Sequence, residues 1–187
     1  TVISQLAHCN PDALYLHTAG SMPMEVWKGK FKNYGVAYPM QTFSKQREVN
    51  FEEVPFFLEA NSPENLSLLQ EIAGSLSPKV YEASSEQRKY LHIAAVFACN
   101  FSNHMYAICQ YLLQAHQLPF ESMLPLIDET ARKVHELSPV EAQTGPARRY
   151  DENVINRHLN MLEEEPKLAE IYRLLSEHIH LYETTNH

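Results

Sequence analysis

The chain has 187 residues, of which 44% are hydrophobic and 20% are charged, and its formal net charge is −8. These values are typical of a folded globular protein, and the length suffices for the core of one domain or two small ones. The acidic balance and the lack of any block of basic residues disfavour a protein that binds nucleic acid or a membrane surface, because both roles normally need a basic patch.

The cysteines and apolar runs indicate a reducing compartment. Cys9, Cys99 and Cys109 show no paired spacing, so we predict free thiols and a cytoplasmic location. The longest strongly apolar run, residues 93–99, is much shorter than the ~20 residues that span a bilayer, and we expect no signal peptide. The chain opens at Thr1 inside an apparent helix without a capping residue, so we expect it to be a fragment that lacks an N-terminal portion.

The first eighty residues alternate strand and helix signals. Ser62 has the features of a helix N-cap, because Pro63 and a helical repeat of leucines follow it. Such alternation predicts a parallel or mixed sheet, and four short strands make only half of a doubly wound domain. The predicted strands are residues 13–17, 34–39, 55–60 and 79–83.

The pattern beyond residue 84 is helical only, which predicts an α/β domain over residues 1–84 and an all-helical domain over residues 85–187. The first helix is unusually long. The predicted helices cover residues 85–116, 120–137, 152–164 and 167–182, with a short helix from Ser138 that ends in a Gly145–Pro146 loop.

The long helix carries polar side chains within apolar sequence. At 3.6 residues per turn, His92, Asn100 and Asn103 fall within an arc of roughly 80°, with His104 just beyond it. In one interpretation they hydrogen-bond inside the core or across a dimer interface, because a buried polar group without a partner costs about 1–3 kcal/mol. In the other they line a cleft, where His92 donates a proton and an asparagine orients a substrate oxygen.

Two further segments suit ligand binding. Gln41, Thr42 and Ser44 follow a strand end, where open α/β sheets place their ligands, although a plain loop would look the same. Thr144 and Arg148 suit a carboxylate, because a guanidinium grips two oxygens. Arg148 or Arg149 is equally suited to a surface pair with Asp151.

Nucleotide-binding loops and metal motifs are not recognisable in the sequence. It contains neither a Gly-x-Gly-x-x-Gly sequence nor a P-loop. His178 and His180 are two residues apart on a helix and diverge, unlike the i, i+4 pairs that share a zinc ion, so we predict no metal site.

Three parts of the chain together resemble a group of bacterial Rossmann-like proteins described as NADP oxidoreductases, with a helical C-terminal domain of unknown function. The group is similar to pyrroline-5-carboxylate reductase and, more remotely, to the 3-hydroxyacid and 6-phosphogluconate dehydrogenases. The segments that carry the resemblance are "LHTAGSMPMEV…YGVAYPMQTFSK", "QRKYLHIAAVFACNFSNHMYA" and "LPLIDETARKVHELSPVEAQTGPARRYDENVINRHL".

The resemblance implies NADP or NAD as cofactor. It implies that residues 1–84 are the C-terminal half of a nucleotide-binding domain whose glycine-rich loop lies upstream, and that residues 85–187 bind substrate and form a homodimer. The nicotinamide would lie at the end of the first strand, beside His17, Thr18, Ala19, Gly20 and Ser21. One departure is clear: the hydroxyacid dehydrogenases carry a Lys-x-x-x-Asn pair, whereas here Lys89 is followed four residues later by Ile93.

Two hypotheses about function follow. In the first, the chain is part of an NAD(P)-dependent oxidoreductase that transfers hydride to or from a small C=O or C=N substrate in the interdomain cleft. His92, Asn100 and Asn103 would be catalytic, the residues after the second strand and Arg148 would bind substrate, and Phe97, Phe101 and Tyr106 would lie in a dimer seam. In the second, the protein senses nucleotides or mediates assembly without turnover.

Overall fold

The computed structural model describes residues 10–185. The predicted opening helix and Cys9 lie outside the described residues. The chain divides into two compact units, Thr1–Tyr111 and Leu112–His187.

The first unit contains a four-stranded mixed sheet with the strand order β1-β2-β3-β4. Strand β1 runs parallel to β2, β2 is antiparallel to β3, and β3 is parallel to β4. The four predicted strands and the mixed sheet are therefore confirmed. The strands are β1 (Leu14–His17), β2 (Asn33–Pro39), β3 (Phe56–Ala60) and β4 (Val80–Glu82).

The two faces of this sheet differ in chemistry, because side chains alternate along each strand. The aliphatic face carries Leu14, Leu16, Ala37, Phe56 and Leu58, and it packs against helix α1 (Pro63–Gly74) through Leu69 and Ala73. The opposite face, here called the polar face, carries His17, Tyr38 and Glu59 in the register of the strand pairs. The core of the first unit therefore lies on the α1 side, which leaves the polar face for a site.

Helix α2 (Ser85–Ala95) crosses the polar face. It begins with a capping box in which Ser84 and Gln87 satisfy each other's backbone N–H groups. A π-helical segment, Val96–Phe101, follows it and leads into α3 (Ser102–Ala115). The predicted helix over residues 85–116 is thus continuous in extent, but the change of pitch inside it was not predicted.

The second unit is helical throughout its described part. Gly145 has a positive φ of 101° and precedes a short helix that begins at Pro146, so the predicted Gly145–Pro146 loop is in fact a helix start. Ala147 and Ile155 are its buried apolar residues. The helices are α4 (Leu124–Glu136), α5 (Pro139–Ala142), α6 (Pro146–Arg149), α7 (Glu152–Met161) and α8 (Pro166–Thr185).

The change from α/β to all-helical structure falls between β4 and α2, near the predicted residue 84. The division into compact units instead falls within α3, after Tyr111. The assignment of residues 1–84 and 85–187 to a nucleotide-binding and a substrate domain stays a prediction. Within residues 10–185, no helix combines the length and apolarity that a bilayer crossing requires.

Candidate functional site

A hollow of about 280 Å³ lies in the first unit between the end of β2 and the long helix. Its volume is near the lower end of the ~300–1,000 Å³ that small-molecule sites occupy. It brings together Gln41 and Thr42 from the strand exit with His92 and Asn100 from the helix. The lining residues are Tyr38, Met40, Gln41, Thr42, Phe43, His92, Ala95, Val96, Cys99 and Asn100.

The exit from β2 turns polar groups toward this hollow. The strand ends at Pro39, which has no N–H to donate to a continued ladder. The backbone N–H of Thr42 then donates to Oε1 of Gln41 at 2.8 Å, which ties the loop to its own side chain. Ser44 lies further along and lines a neighbouring hollow with Arg47 and Glu48.

The π-helical segment explains why Asn100, and not Asn103, joins His92 in the hollow. One extra residue per turn rotates everything beyond it by about 100°. In an uninterrupted helix Asn103 would lie about 20° from His92 and Asn100 about 80° away. Asn103 follows the segment and is carried to the other flank, whereas Asn100 lies within the segment, undergoes only part of the rotation and comes closer to the direction of His92. Asn103 is exposed and is not among the residues that line the hollow.

Gly20 packs against two residues that line the hollow, Tyr38 and His92. A Cβ atom at this position would lie 2.8 Å from Cζ of Tyr38 and 2.9 Å from Nδ1 of His92. Both distances are shorter than side chains tolerate, so only glycine allows the loop after β1 to approach the two rings this closely. The predicted corner at residues 17–21 therefore meets the long helix at His92.

The other residues of this corner point in different directions. The ring of His17 stacks on Trp27 with centroids 6.1 Å apart, and its Nδ1 accepts a hydrogen bond from the N–H of Ala19 at 3.3 Å. Thr18 lines a separate apolar hollow on the α1 side, and Ser21 is exposed. The five residues predicted to border the nicotinamide thus belong to both faces of the sheet.

Burial lowers the pKa of His17 below its ordinary value of 6.5, and the positive charge of Arg88 lowers it further. The Pro23 carbonyl and the negative charge of Glu59 act in the opposite direction with smaller effect. His17 is therefore neutral at pH 7.

A buried polar cluster under the corner was missed by the sequence analysis. Arg88 is 0% exposed, and its Nη1 donates to Oε2 of Glu59 at 2.6 Å. Its Nη2 donates to the Met22 carbonyl at 2.8 Å. Ser85 donates to the same Glu59 oxygen at 2.7 Å and accepts from the N–H of Met24 at 2.9 Å. This Arg88–Glu59–Ser85 cluster joins β3, α2 and the loop that carries Gly20.

The pKa of Glu59 reflects this cluster. Burial raises the pKa, but the hydrogen bonds from Arg88 and Ser85 and the charge of Arg88 together outweigh it, so the pKa lies below its ordinary value. The signal that could have revealed Arg88 is its spacing, since it precedes His92 by four residues and shares its side of the helix.

The second unit contains the other predicted substrate-binding residues. Nε of Arg148 donates to Oε1 of Glu183 at 2.7 Å, and its Nη1 donates to the Gln143 carbonyl at 3.2 Å. Asp151 instead caps α7 by accepting from the N–H of Val154. The alternative pairing of Arg148 with Asp151 is therefore wrong. The Thr144 carbonyl accepts a hydrogen bond from the Gln143 side chain at 2.9 Å.

Comparison with known proteins gives the family. The model of a family described as domain of unknown function DUF2520 matches residues 54–179. The chain belongs to this family. A Bacteroides fragilis protein of known structure, described as a "putative NADP oxidoreductase", shares 59% sequence identity with this DUF2520 member. The match covers 96% of this chain and 71% of that chain, with a TM-score of 0.91.

A more distant match agrees on the fold. A Thermotoga maritima protein of known structure has 22% identity and a TM-score of 0.77, and the match covers 97% of this chain and 74% of that chain. No curated protein matches the chain. The chain is thus a Rossmann-like α/β sheet portion followed by helices, as predicted. Its relation to pyrroline-5-carboxylate reductase and the hydroxyacid dehydrogenases stays a prediction.

Proposed function

We propose that this chain forms part of an NAD(P)-dependent oxidoreductase that reduces a small C=O or C=N group, or oxidises the corresponding product. The observation that carries the proposal is the hollow in which Gln41 and Thr42 meet His92 and Asn100 at the carboxyl end of β2. Open α/β sheets bind their ligands at this edge. The 59% identical relative described as an NADP oxidoreductase supports the same reading.

The residues at the end of β1 fit the nicotinamide end of such a cofactor. Thr18 and Ser21 are small and exposed, so a ligand can reach them, whereas Gly20 is buried against Tyr38 and His92. Their hydroxyl groups offer hydrogen bonds to a carboxamide. When bound, the cofactor would supply the hydride, and the chain would orient the reactants.

The chain's own polar groups would handle the substrate. His92 lines the hollow and is also exposed to solvent. Its imidazole is therefore suited to exchange protons between a bound substrate and solvent. The Asn100 and Gln41 amides would hold the substrate's oxygen or nitrogen in line for hydride transfer. Roles for Asn103, Ser44, Thr144 and Arg148 stay predictions.

The test uses the full-length protein that contains this sequence. We expect NADPH or NADH to bind in a fluorescence titration, and His92→Ala to lower turnover about 100-fold with a panel of imines and 2-keto acids without changing nucleotide affinity. His104→Ala is the matched control, since His104 is an exposed histidine on α3, further along the long helix, and does not line the hollow. Failure of both nucleotides to bind would refute the oxidoreductase proposal.

The same experiment addresses the second hypothesis. Tight nucleotide binding without turnover of any substrate would favour a nucleotide-sensing or assembly protein. The absence of the Lys-x-x-x-Asn pair is the observation that keeps this hypothesis open.

We also propose that the protein is a cytoplasmic homodimer formed through its long helix. Phe97 and Phe101 are 63% and 50% exposed, and their rings meet edge-to-face with centroids 5.0 Å apart. Tyr106 is 36% exposed, but it follows Phe101 by five residues and lies about 140° around the helix from it. Contiguous exposed apolar surface marks interaction sites, and a second copy of the helix would complement the aromatic stripe that Phe97 and Phe101 form.

A further inference from the structure

Tyr38 is a hollow-lining residue that neither the sequence analysis nor the family relationship singles out. Its side chain stands on the polar face near the end of β2 and is 9% exposed. The ring meets His92 edge-on, with centroids 6.4 Å apart and an interplanar angle of 71°. Its Cζ atom, which bears the hydroxyl, reaches the loop at Gly20. The phenol end therefore lies where β1, β2 and α2 converge.

The hydroxyl group of Tyr38 has no hydrogen-bond partner within residues 10–185, and it is not among the buried polar atoms that are sealed from solvent. A tyrosine whose ring is buried normally pairs its hydroxyl. An unpaired hydroxyl on a residue that lines a hollow is available to a ligand. In the hollow, His92, Gln41 and Asn100 lie on the surrounding walls.

The protonation state of Tyr38 suits a proton donor. Burial raises the pKa of Tyr38 above its ordinary value of 10.0, and the nearby Cys99 thiol raises it further. The phenol therefore keeps its proton throughout the neutral range and can donate it, whereas a phenolate would have no proton to give.

We propose that the Tyr38 hydroxyl donates the proton to the substrate's carbonyl oxygen or imine nitrogen, with His92 returning a proton to Tyr38 from solvent. This inference rests on the oxidoreductase function proposed above. In the reductive direction, the substrate carbon gains a hydride with its electron pair from the reduced nicotinamide, which is oxidised by two electrons. The C=O or C=N π bond breaks, and its electrons take the Tyr38 proton. The phenolate is then reprotonated through His92, so that atoms and charge balance.

The decisive variant is Tyr38→Phe, which keeps the ring against Gly20 and His92 and removes only the hydroxyl. We expect the full-length variant to bind NADPH as the wild type does and to lose at least about 100-fold in kcat, with little change in KM. Tyr34→Phe is the matched control, because Tyr34 lies on the same face of the same strand and does not line the hollow. Its kcat should equal that of the wild type.

A second measurement needs neither turnover nor nucleotide. With 2-¹³C-labelled pyruvate as probe, a hydrogen bond from Tyr38 would shift the carbonyl resonance downfield on addition of wild-type protein. Tyr38→Phe should abolish the shift, and Tyr34→Phe should retain it.

The outcomes separate the two proposals. If wild-type protein binds no nucleotide, the oxidoreductase function fails and the Tyr38 inference fails with it. If it binds NADPH but Tyr38→Phe retains wild-type kcat and the pyruvate shift, the function stands and the donor role is overturned. If NADPH binds but no substrate in the panel is reduced, the donor role is also overturned, in favour of a binding protein.

Discussion

At the scale of single residues, Gly20 leaves no room for a side chain where it packs against Tyr38 and His92. Replacing it with alanine would press a methyl group against Tyr38 and His92 at 2.8–2.9 Å. We expect Gly20→Ala to lower the free energy of unfolding by about 1–3 kcal/mol, as overpacked positions do. Urea denaturation measures this change.

Gly74 provides the control, since an added Cβ there meets no atom within 4 Å. Gly74→Ala should change the free energy of unfolding by less than about 1 kcal/mol, and any change should be an increase. Equal effects of the two substitutions would contradict the close approach at Gly20.

His17 should make stability depend on pH. Its folded-state pKa lies below the ordinary value of 6.5 because of burial and the Arg88 charge, partly offset by Glu59. Between these two pKa values the unfolded chain binds more protons, so stability rises with pH and levels off above about 6.5. Urea denaturation of His17→Gln should show a weaker dependence between pH 5 and 7 than the wild type, whereas a variant at the exposed His116 should keep the wild-type profile.

At the scale of elements, the Arg88–Glu59–Ser85 cluster joins β3, α2 and the Gly20 loop. Glu59→Gln would leave the buried Arg88 charge without its counter-ion, at a cost of about 3–5 kcal/mol in the free energy of unfolding. The Lys89–Glu86 pair on the same helix is exposed, so Glu86→Gln should cost less than about 1 kcal/mol.

At acidic pH, the wild type and Glu59→Gln should have the same free energy of unfolding. The folded-state pKa of Glu59 is lowered, so its contribution is fully present above its unfolded pKa of about 4.3 and disappears as pH falls through the folded value. Chemical denaturation between pH 7 and 3 measures this convergence. A difference that persists undiminished to pH 3 would mean that the carboxylate charge is not what stabilises the cluster.

Most helices and strands could be predicted from the sequence, but the π-helical segment within the long helix could not. The strand at residues 34–39 is recognisable because its apolar residues end at a proline, and the helix at Pro63 because Ser62 caps it. The π-helical segment has no sequence signature, since its extra residue follows from packing. Arg88 was not singled out, because nothing in the local sequence reveals that Glu59, 29 positions earlier, lies opposite it.

At the scale of the whole molecule, the site depends on chain topology. The sequence indicated that Gln41 and Thr42 follow a strand and that His92 belongs to a helix; only the assembled sheet brings the two segments to one hollow. Tyr38 was missed because an aromatic residue in a strand is more often core, and its open hydroxyl is visible only in three dimensions.

The oligomeric state is a prediction at this scale. If the aromatic stripe forms a homodimer, the double variant Phe97→Ser/Phe101→Ser should be monomeric by light scattering coupled to size-exclusion chromatography, while the wild type is dimeric. Leu126, in the second unit, is 62% exposed and serves as control; Leu126→Ser should leave the dimer intact. A monomeric wild type would contradict the homodimer.

Because of the change of pitch at Val96–Phe101, the side chains of α3 are rotated around the helix axis relative to those of α2. In α2, before this segment, one side of the helix packs on the sheet. In α3, after the segment, the apolar and polar sides of the helix are rotated relative to those of α2. Insertions or deletions inside this short stretch would therefore rotate α3 without disturbing how α2 packs on the strands. Because Val96, Cys99 and Asn100 line the hollow from within this stretch, such changes would alter the hollow together with the surface that α3 presents.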